Sequence, residues 1–557
     1  MEAETRRARG LSNTLNFMSG FKELRWTVWA SLFAFLLGYV LPLCLSNAPC
    51  YASHCTGAAY LVTTTWVLFG IFCVLTLSAV AVHKRYSSRK LTHFLGQRVF
   101  ARLDVCVGEV TVYIAALVLC AITFVLWYTW RLAMLADSPL RHWASAFIAS
   151  AHMCDVALGL TMLPVSRSSF IVAGVGISTS TALRFHKMSA NLLIASALVH
   201  GIVVRGAITG LLGRSVAQWY FFIGMAADWT DWTGGSYTVV LGVGSLGLLA
   251  TLYIASLPPM RRRIYALFIG THPGLAVAVV AGSALHASSN AHYALPGLLV
   301  YAVELLDRVH MWMQPYEVAR ARIEKCGSIR LDVSTTHAWR ATQWCHLYVP
   351  AISPLGHPFT AARVTDTATF VIKPQNRFTK RVWETVLKGT TDLQLKMSAP
   401  HGCVGYPLHM VATLACFASG SGITGALSMV YGWLEACRGT VYLFWVSPSH
   451  AHHEMSVVQE LMWSRDVRVC MVLYAGRQNP ASIVGLDEEK YADILKMPFD
   501  AVALLDKVVT PSLAPEEALG GFVCGSKVFG KIVQDAMGEV SARKKIISFM
   551  HTEPFGF

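Results

Sequence analysis

Charged side chains are scarce in this 557-residue chain: Asp, Glu, Lys and Arg make up 14% of it, against 54% hydrophobic residues. A soluble protein of this length needs more charge than that to cover its surface, so an ordinary globular enzyme is excluded. Acidic residues are the rarer sign, 32 against 46 basic ones, leaving a net charge of +14. An excess of that size raises nucleic acid as a partner. Here the basic residues sit in loops beside apolar runs, the positive-inside pattern of a membrane protein, and no nucleic acid is expected. The sequence has no CxxC, no zinc-like cysteine cluster, no low-complexity tract, no internal repeat and no EF-hand. The start is polar and basic (Arg6, Arg7, Arg9), so no cleavable signal peptide is expected. Of fourteen cysteines only Cys50 and Cys55 fall in an expected outer loop, where oxidation can pair them.

What is present is a long apolar first half. Runs near the ~20 residues that a spanning helix needs occur at 26–46, 59–82, 105–128, 143–165, 187–211, 238–257, 266–286 and 293–306, eight in all. With the N-terminus inside, the inner loops hold Lys84, Arg85, Arg89, Lys90, Arg98 and Arg102, then Arg167, Arg184 and Lys187, then Arg261 to Arg263. The outer loops hold only Arg131, Arg141 and Arg214. This asymmetry orients the chain with both termini in the cytosol.

Four histidines stand out within the spans. His186 and His200 are 14 residues apart on the fifth, and His272 and His286 are 14 apart on the seventh. On a helix that spacing is a rise of about 21 Å and about 40° short of four turns, so each pair lies on nearly one face with one member toward each side of the bilayer. Single intramembrane histidines are more often packing or hydrogen-bonding residues. Two equally spaced pairs, His186 with His272 and His200 with His286, offer two levels at which imidazoles can ligate a metal from both sides, and bis-imidazole haem b fits. His152, beside Asp155, has no partner at matching depth and reads as structural. Arg167 and Arg184 flank the inner level, where they serve either haem propionates or ordinary positive-inside flanking.

After about residue 306 the pattern becomes that of a soluble α/β protein. Short alternating strands run to about residue 400, around Gly356-His357-Pro358-Phe359-Thr360. An apolar strand from Met410 to Ala418 leads into Gly420-Ser421-Gly422-Ile423-Thr424-Gly425 and a helix from Ala426 to Ala436. Glycines between a strand and a helix let a pyrophosphate approach the helix N-terminus. The next strand, Val441 to Val446, ends in Ser447-Pro448-Ser449-His450 without the carboxylate that holds an NADH ribose, so hydroxyl and imidazole groups there, with Arg477, suit a 2′-phosphate.

Taken together, Leu183-Arg184-Phe185-His186-Lys187-Met188 with its second histidine 14 on, Leu163-Pro164-Val165-Ser166-Arg167 before it, and His357-Pro358-Phe359-Thr360 resemble the ferric reductase and NADPH oxidase superfamily. The Gly420-Ser421-Gly422-Ile423-Thr424 loop resembles the nicotinamide loop of ferredoxin reductase-like proteins, with Gly425 where a proline is usual. Two further departures are the 14-residue spacing of the second histidine pair, often one shorter in the family, and Ala399-Pro400-His401-Gly402-Cys403 in place of Gly-Pro-Tyr-Gly.

The resemblance implies a multi-pass α-helical membrane domain with six helices in a di-haem core, then a flavin-binding antiparallel β-barrel, then an α/β nucleotide-binding domain. The expected boundaries are 1–104 for the tail and two additional helices, 105–306, 307–404 and 405–557. It further implies FAD held by His357, Pro358, Phe359 and Thr360, with Arg363 and Lys373 toward its phosphates. Cys524, in Phe522-Val523-Cys524-Gly525, and the terminal Phe557 would lie at the hydride-transfer site. Electrons would pass from NADPH through FAD and two haem b groups to an extracytosolic acceptor. The short loop Ala287 to Ala294 leaves the outer haem uncapped and suits a ferric chelate, making a plasma-membrane ferric reductase the expectation. A superoxide-producing NADPH oxidase is the alternative, and a non-enzymatic scaffold or transporter the alternative of another class. Asp228 and Asp231, between Trp229 and Trp232, read more readily as interface anchoring than as an iron site. Membrane lipids are partners by construction, and a homo-oligomer or an accessory subunit is compatible with the sequence.

Overall fold

The computed structural model describes residues 26–44, 94, 98–100, 105–134, 141–166, 179–212 and most of 235–554. The expected span at 59–82, Cys50 and Cys55, Asp228 and Asp231, and the candidate site residues Arg167, Arg477 and Phe557 lie outside the described residues. The chain divides into two compact units, one formed mainly by the helices up to Leu305 and one mainly by the chain from Leu306 on.

The first unit is helical because its apolar runs satisfy their backbone groups internally, as hydrocarbon demands. Its helices are α1 (Trp26–Cys44), α2 (Val107–Met134), α3 (Arg141–Met162), α4 (Thr179–Leu212), α5 (Gly235–Ser256) and α6 (Tyr265–His286). A seventh, α7 (Ser288–Met313), leaves this unit and runs past the end expected for the last span. Among the described residues four stretches are long and apolar enough to cross a membrane: 107–133, 141–162, 181–206 and 267–286. Shorter described apolar stretches lie in α1 and α5, at 26–38 and 240–256. Outward-facing Ile114, Leu117, Ile122 and Val125 on α2 give the apolar exterior that lipid requires, while α3 is largely buried. α6 stays helical through Pro273, directly after His272.

In the second unit, β1 (Glu317–Ile323), β2 (Ile329–Ser334), β3 (Trp344–Tyr348), β4 (His357–Thr360), β5 (Arg363–Val364), β6 (Thr367–Ile372) and β7 (Asp392–Met397) form an antiparallel sheet ordered β4-β3-β7-β1-β2-β6-β5. Among the described residues no strand pairing joins β4 to β5, and the β-barrel expected from the sequence takes the form of a curled antiparallel sheet. His357–Thr360 was expected to interrupt the strands; it is itself a strand, paired with β3 so that Thr360 lies opposite Trp344. Alternate inward residues such as Ile329, Leu331, Val333 and Phe370 fill the core, with helix α8 (Arg377–Leu387) burying Phe378 and Val382 against it.

The rest is a parallel sheet. Strands β8 (Thr413–Ser419), β9 (Val441–Ser447), β10 (Val469–Ala475), β11 (Pro480–Val484), β12 (Leu519–Gly525) and β13 (Ser548–Pro554) order as β11-β10-β9-β8-β12-β13, with only β11 antiparallel. These strands read as continuous apolar runs because helices cover both faces: α9 (Ile423–Ala436) and α10 (Ser456–Trp463) on one, α11 (Lys527–Lys544) on the other. Trp433 and Trp445 are fully buried under the first pair.

Glu317, at the start of β1, is half-buried; burial pushes its carboxyl up to about 7, and its Oε2 has no hydrogen-bond partner among the described residues. Between the ordinary carboxylate range and about 7 the folded chain therefore keeps a proton that the unfolded chain has lost, so Glu317 makes stability fall as pH rises through that window. Glu317→Gln is expected to raise the thermal midpoint at pH 8 and leave it unchanged at pH 5, measured by intrinsic fluorescence of the detergent-solubilised chain.

Candidate functional site

Each intramembrane histidine is aimed by a helix other than its own. His186 and His200 lie on α4, and α3 runs beside both: the Thr161 carbonyl meets His186 Nδ1 at 3.0 Å, and the Ser150 hydroxyl meets His200 Nδ1 at 3.0 Å. His272 and His286 lie on α6, and α5 serves them in the same way. Ser256 Oγ is 3.2 Å from His272 Nδ1. Gly242, 14 residues earlier, presses against the other ring: a Cβ there would stand 2.8 Å from His286 Cε1. With Nδ1 engaged, Nε2 is the nitrogen left for a ligand.

The structure brings the histidines together in the two expected pairs. Ring centroids are 6.4 Å apart for His186 and His272 and 6.3 Å for His200 and His286. Metal–nitrogen bonds of about 2 Å on both sides, with about 1.1 Å from each nitrogen to its ring centre, require a separation of about 6.2 Å. The residues present therefore fit a six-coordinate haem iron at each level. The partners on α3 and α5 were not found from the sequence; serines, threonines and glycines inside spans carry no ligand signature, although their registers opposite the histidines do. His152 is buried, donates from Nδ1 to the Asp155 carboxylate at 2.7 Å and stacks on Trp127 at 3.9 Å. Arg184 is ion-paired with Glu109 at 3.1 Å, so a haem propionate would have to compete for it.

In the second unit, His357 stacks on Phe378 of α8 at 3.9 Å, leaving Phe359 and Thr360 half-exposed along β4. Arg363, expected near flavin phosphates, is held instead by Glu460 at 2.8 Å and lies over the Tyr431 ring at 5.1 Å.

The glycine loop follows β8 as expected. Gly420 has φ +53°, a left-handed conformation, and its carbonyl accepts from Trp445 Nε1 at 3.0 Å. A Cβ at Gly422 would collide with the Cys524 carbonyl at 2.1 Å, so that strand-to-helix turn requires glycine. A pocket opens at the loop, lined by Gly420, Ser421, Thr424 and Trp445 with Lys373 from the end of β6 and His452 from the turn after β9. Ser449 Oγ lies 3.0 Å from His452 Nδ1, while Ser447 is buried and committed to His453, the Ser449 carbonyl and the Tyr474 carbonyl. His452, absent from the sequence reading, thus joins Lys373 in lining the pocket at the glycine loop.

Cys524 is buried, and burial with the nearby Glu553 carboxylate holds its thiol well above the usual range, so it is a neutral group and not a thiolate nucleophile. Its Sγ occupies the space that a side chain at position 425 would need: a Cβ at Gly425 would stand 2.9 Å from Cys524 Sγ and 3.3 Å from Glu553 Oε2.

The model of the ferric reductase like transmembrane component matches residues 150–283, a stretch containing His186, His200 and His272. Among curated proteins, the probable ferric reduction oxidase 1 of Arabidopsis thaliana is 21% identical over 288 residues, 50% of this chain and 39% of its own length. Ferric reduction oxidase 2 of the same plant is 23% identical over 65% of this chain and 53% of its own length. The ferric reductase transmembrane component 6 of Saccharomyces cerevisiae is 22% identical over 48% of this chain and 38% of its own length. The chain thus spans about half or less of the length of these relatives. A flavohemoglobin from Malassezia yamatoensis, solved with FAD and haem, is 13% identical over 74% of this chain and 97% of that one, at a TM-score of 0.35 that does not by itself establish a common fold.

The chain is an integral membrane protein whose second unit is a curled antiparallel sheet followed by a parallel one. Its membrane stretch at 150–283 is similar to the ferric reductase like transmembrane component.

If haem occupies both histidine levels, Gly242→Val, which fills the space beside His286, is expected to remove one while Gly244→Val, with open space at its Cβ, keeps both. Pyridine haemochrome quantitation per polypeptide checks this; equal haem in the two variants would show that Gly242 does not seat the ring.

Proposed function

We propose that the chain is an NADPH-dependent transmembrane ferric reductase, moving electrons from cytosolic NADPH through FAD and two b-type haems to a ferric chelate outside the plasma membrane. The observation that carries this reading is the pair of histidine levels at 6.3–6.4 Å, each ring held through Nδ1 or packed by a neighbouring helix. His186 and His272 hold the inner level; His200 and His286 hold the outer. Bound there, haem supplies the one-electron carriers that hydrocarbon lacks, and FAD converts a hydride into single electrons.

The chain's own residues do the rest. The glycine loop and the N-terminus of α9 cradle a pyrophosphate, with Lys373 as its cation and His452 as a hydrogen-bonding neighbour. The end of β9 offers Ser449 and His450 and no carboxylate, which supports NADPH over NADH. His357 to Thr360 present a flat, half-exposed strand for the flavin ring, and the neutral Cys524 thiol packs beside Glu553 where nicotinamide would approach it. On the acceptor side, α6 ends at His286 and α7 begins at Ser288, so a single residue, Ala287, joins the outer ligand to the next helix. That connection forms no cap, which favours a bulky chelate; the names of the relatives point the same way.

Purified protein is expected to show a b-type reduced-minus-oxidised spectrum that is diminished in His200→Ala and His286→Ala. With NADPH it is expected to reduce ferric chelate at a rate unaffected by superoxide dismutase. Full dismutase sensitivity would assign it to superoxide production, and a spectrum without haem would leave a scaffold or transporter.

A further inference from the structure

The dinucleotide pocket and the flavin strand meet on one carboxylate. Glu460, on the second turn of α10, accepts from Arg330 Nη1 at 2.6 Å and from Arg363 Nη1 at 2.8 Å. Arg363 follows the His357–Thr360 strand by three residues and lies over Tyr431 of α9, the helix that begins at the glycine loop. Arg330 sits on β2, two residues after the pocket-lining Ser328 and in register with the pocket-lining Val371. Its Nε is held by both oxygens of Asp332 at 3.0 Å. α10 itself starts directly after the pocket-lining Met455, and Glu324 of the antiparallel sheet takes both the N–H and the hydroxyl of Ser456 at that helix's first residue. Three of the pocket-lining residues, Ser328, Val371 and Met455, therefore lie on elements tied to the Glu460 carboxylate. Two guanidiniums on one half-buried carboxylate form a directional and charge-assisted link.

We propose that Glu460 is a positioning residue that couples the two cofactors: an occupied dinucleotide pocket fixes α10, and Glu460 through Arg363 then fixes the strand that receives FAD. This rests on the FAD and NADPH reading above. The coupling is reciprocal by thermodynamic necessity, so FAD tightens the dinucleotide by the same factor. It also assigns Arg363 to the link between the sheets and not to a flavin phosphate.

The test is FAD titration of the full-length, detergent-solubilised chain by flavin fluorescence, with and without saturating NADP+. In the unaltered chain NADP+ is expected to tighten FAD by about tenfold. In Glu460→Gln the factor is expected to fall to within about twofold of unity, and Glu460→Asp, which keeps the charge, is expected to restore part of it. A purely structural role would weaken FAD alike with and without NADP+ and leave the ratio intact. An unchanged ratio in Glu460→Gln, or independent binding of the two in the unaltered chain, overturns the proposal. Should Glu460→Gln fail to fold, Arg363→Lys, which keeps the charge and loses the fork, is expected to give an intermediate ratio, and a wild-type ratio there overturns the proposal too. A chain that binds neither FAD nor NADP+ refutes the cofactor reading itself, an outcome distinct from binding both without coupling.

Discussion

An imidazole inside hydrocarbon must have its N–H satisfied, since an unpaired polar group there costs several kcal/mol. Most of the membrane unit is organised by that requirement. Four histidines on two helices need partners, and the partners come from two others: Ser150 and Thr161 on α3, Ser256 on α5. Each of these bonds occupies the Nδ1 side of a ring and leaves Nε2 for a ligand. The result is two levels whose separations differ by only 0.1 Å, both built by α4 and α6. Gly242 adds to the set, its missing side chain leaving room for the His286 ring.

The second unit answers a different constraint. On the proposed reading its two sheets must hold two cofactors in a defined relation while leaving both able to enter. Apolar packing is non-directional, and the buried cluster under α9 and α10, which takes in Ala362 of the antiparallel sheet unit, does not by itself set an angle between the sheets. Directional bonds do that here: Glu324 with Ser456, and Arg330 and Arg363 with Glu460. The same bonds withdraw Arg363 from the phosphate role that its place after Thr360 suggests. Cys524 shows similar economy, its thiol filling the gap left by Gly425 where related loops have proline.

Much of this was legible in the chain. The histidine spacing is a helical property and needs no tertiary information, so both pairs could be named from their positions. The glycine loop, flanked by an apolar strand and a helix, was equally plain because only glycine tolerates φ +53° at Gly420 without strain and the Cys524 carbonyl beside Gly422. Other expectations were less secure. Counting apolar runs suggested eight spans, of which four are long and apolar enough among the described residues. The barrel was inferred from strand alternation, which says which face is buried and nothing about whether the last strand reaches the first. Ser447 looked available to a phosphate because it ends a strand, yet its side chain points inward to His453.

The sequence by itself therefore determined what depends on local periodicity and composition: a membrane-spanning helical half, the two histidine pairs, the glycine loop and the order of strands and helices behind it. Only the tertiary structure decided which groups support those residues. Ser150, Thr161, Ser256, His452 and Glu460 belong to residue types found everywhere, and what singles them out is the element packed across from them. Their partners lie 14 residues or more away except for Ser449 beside His452, and such pairings follow from the folded backbone and not from any pattern along the chain.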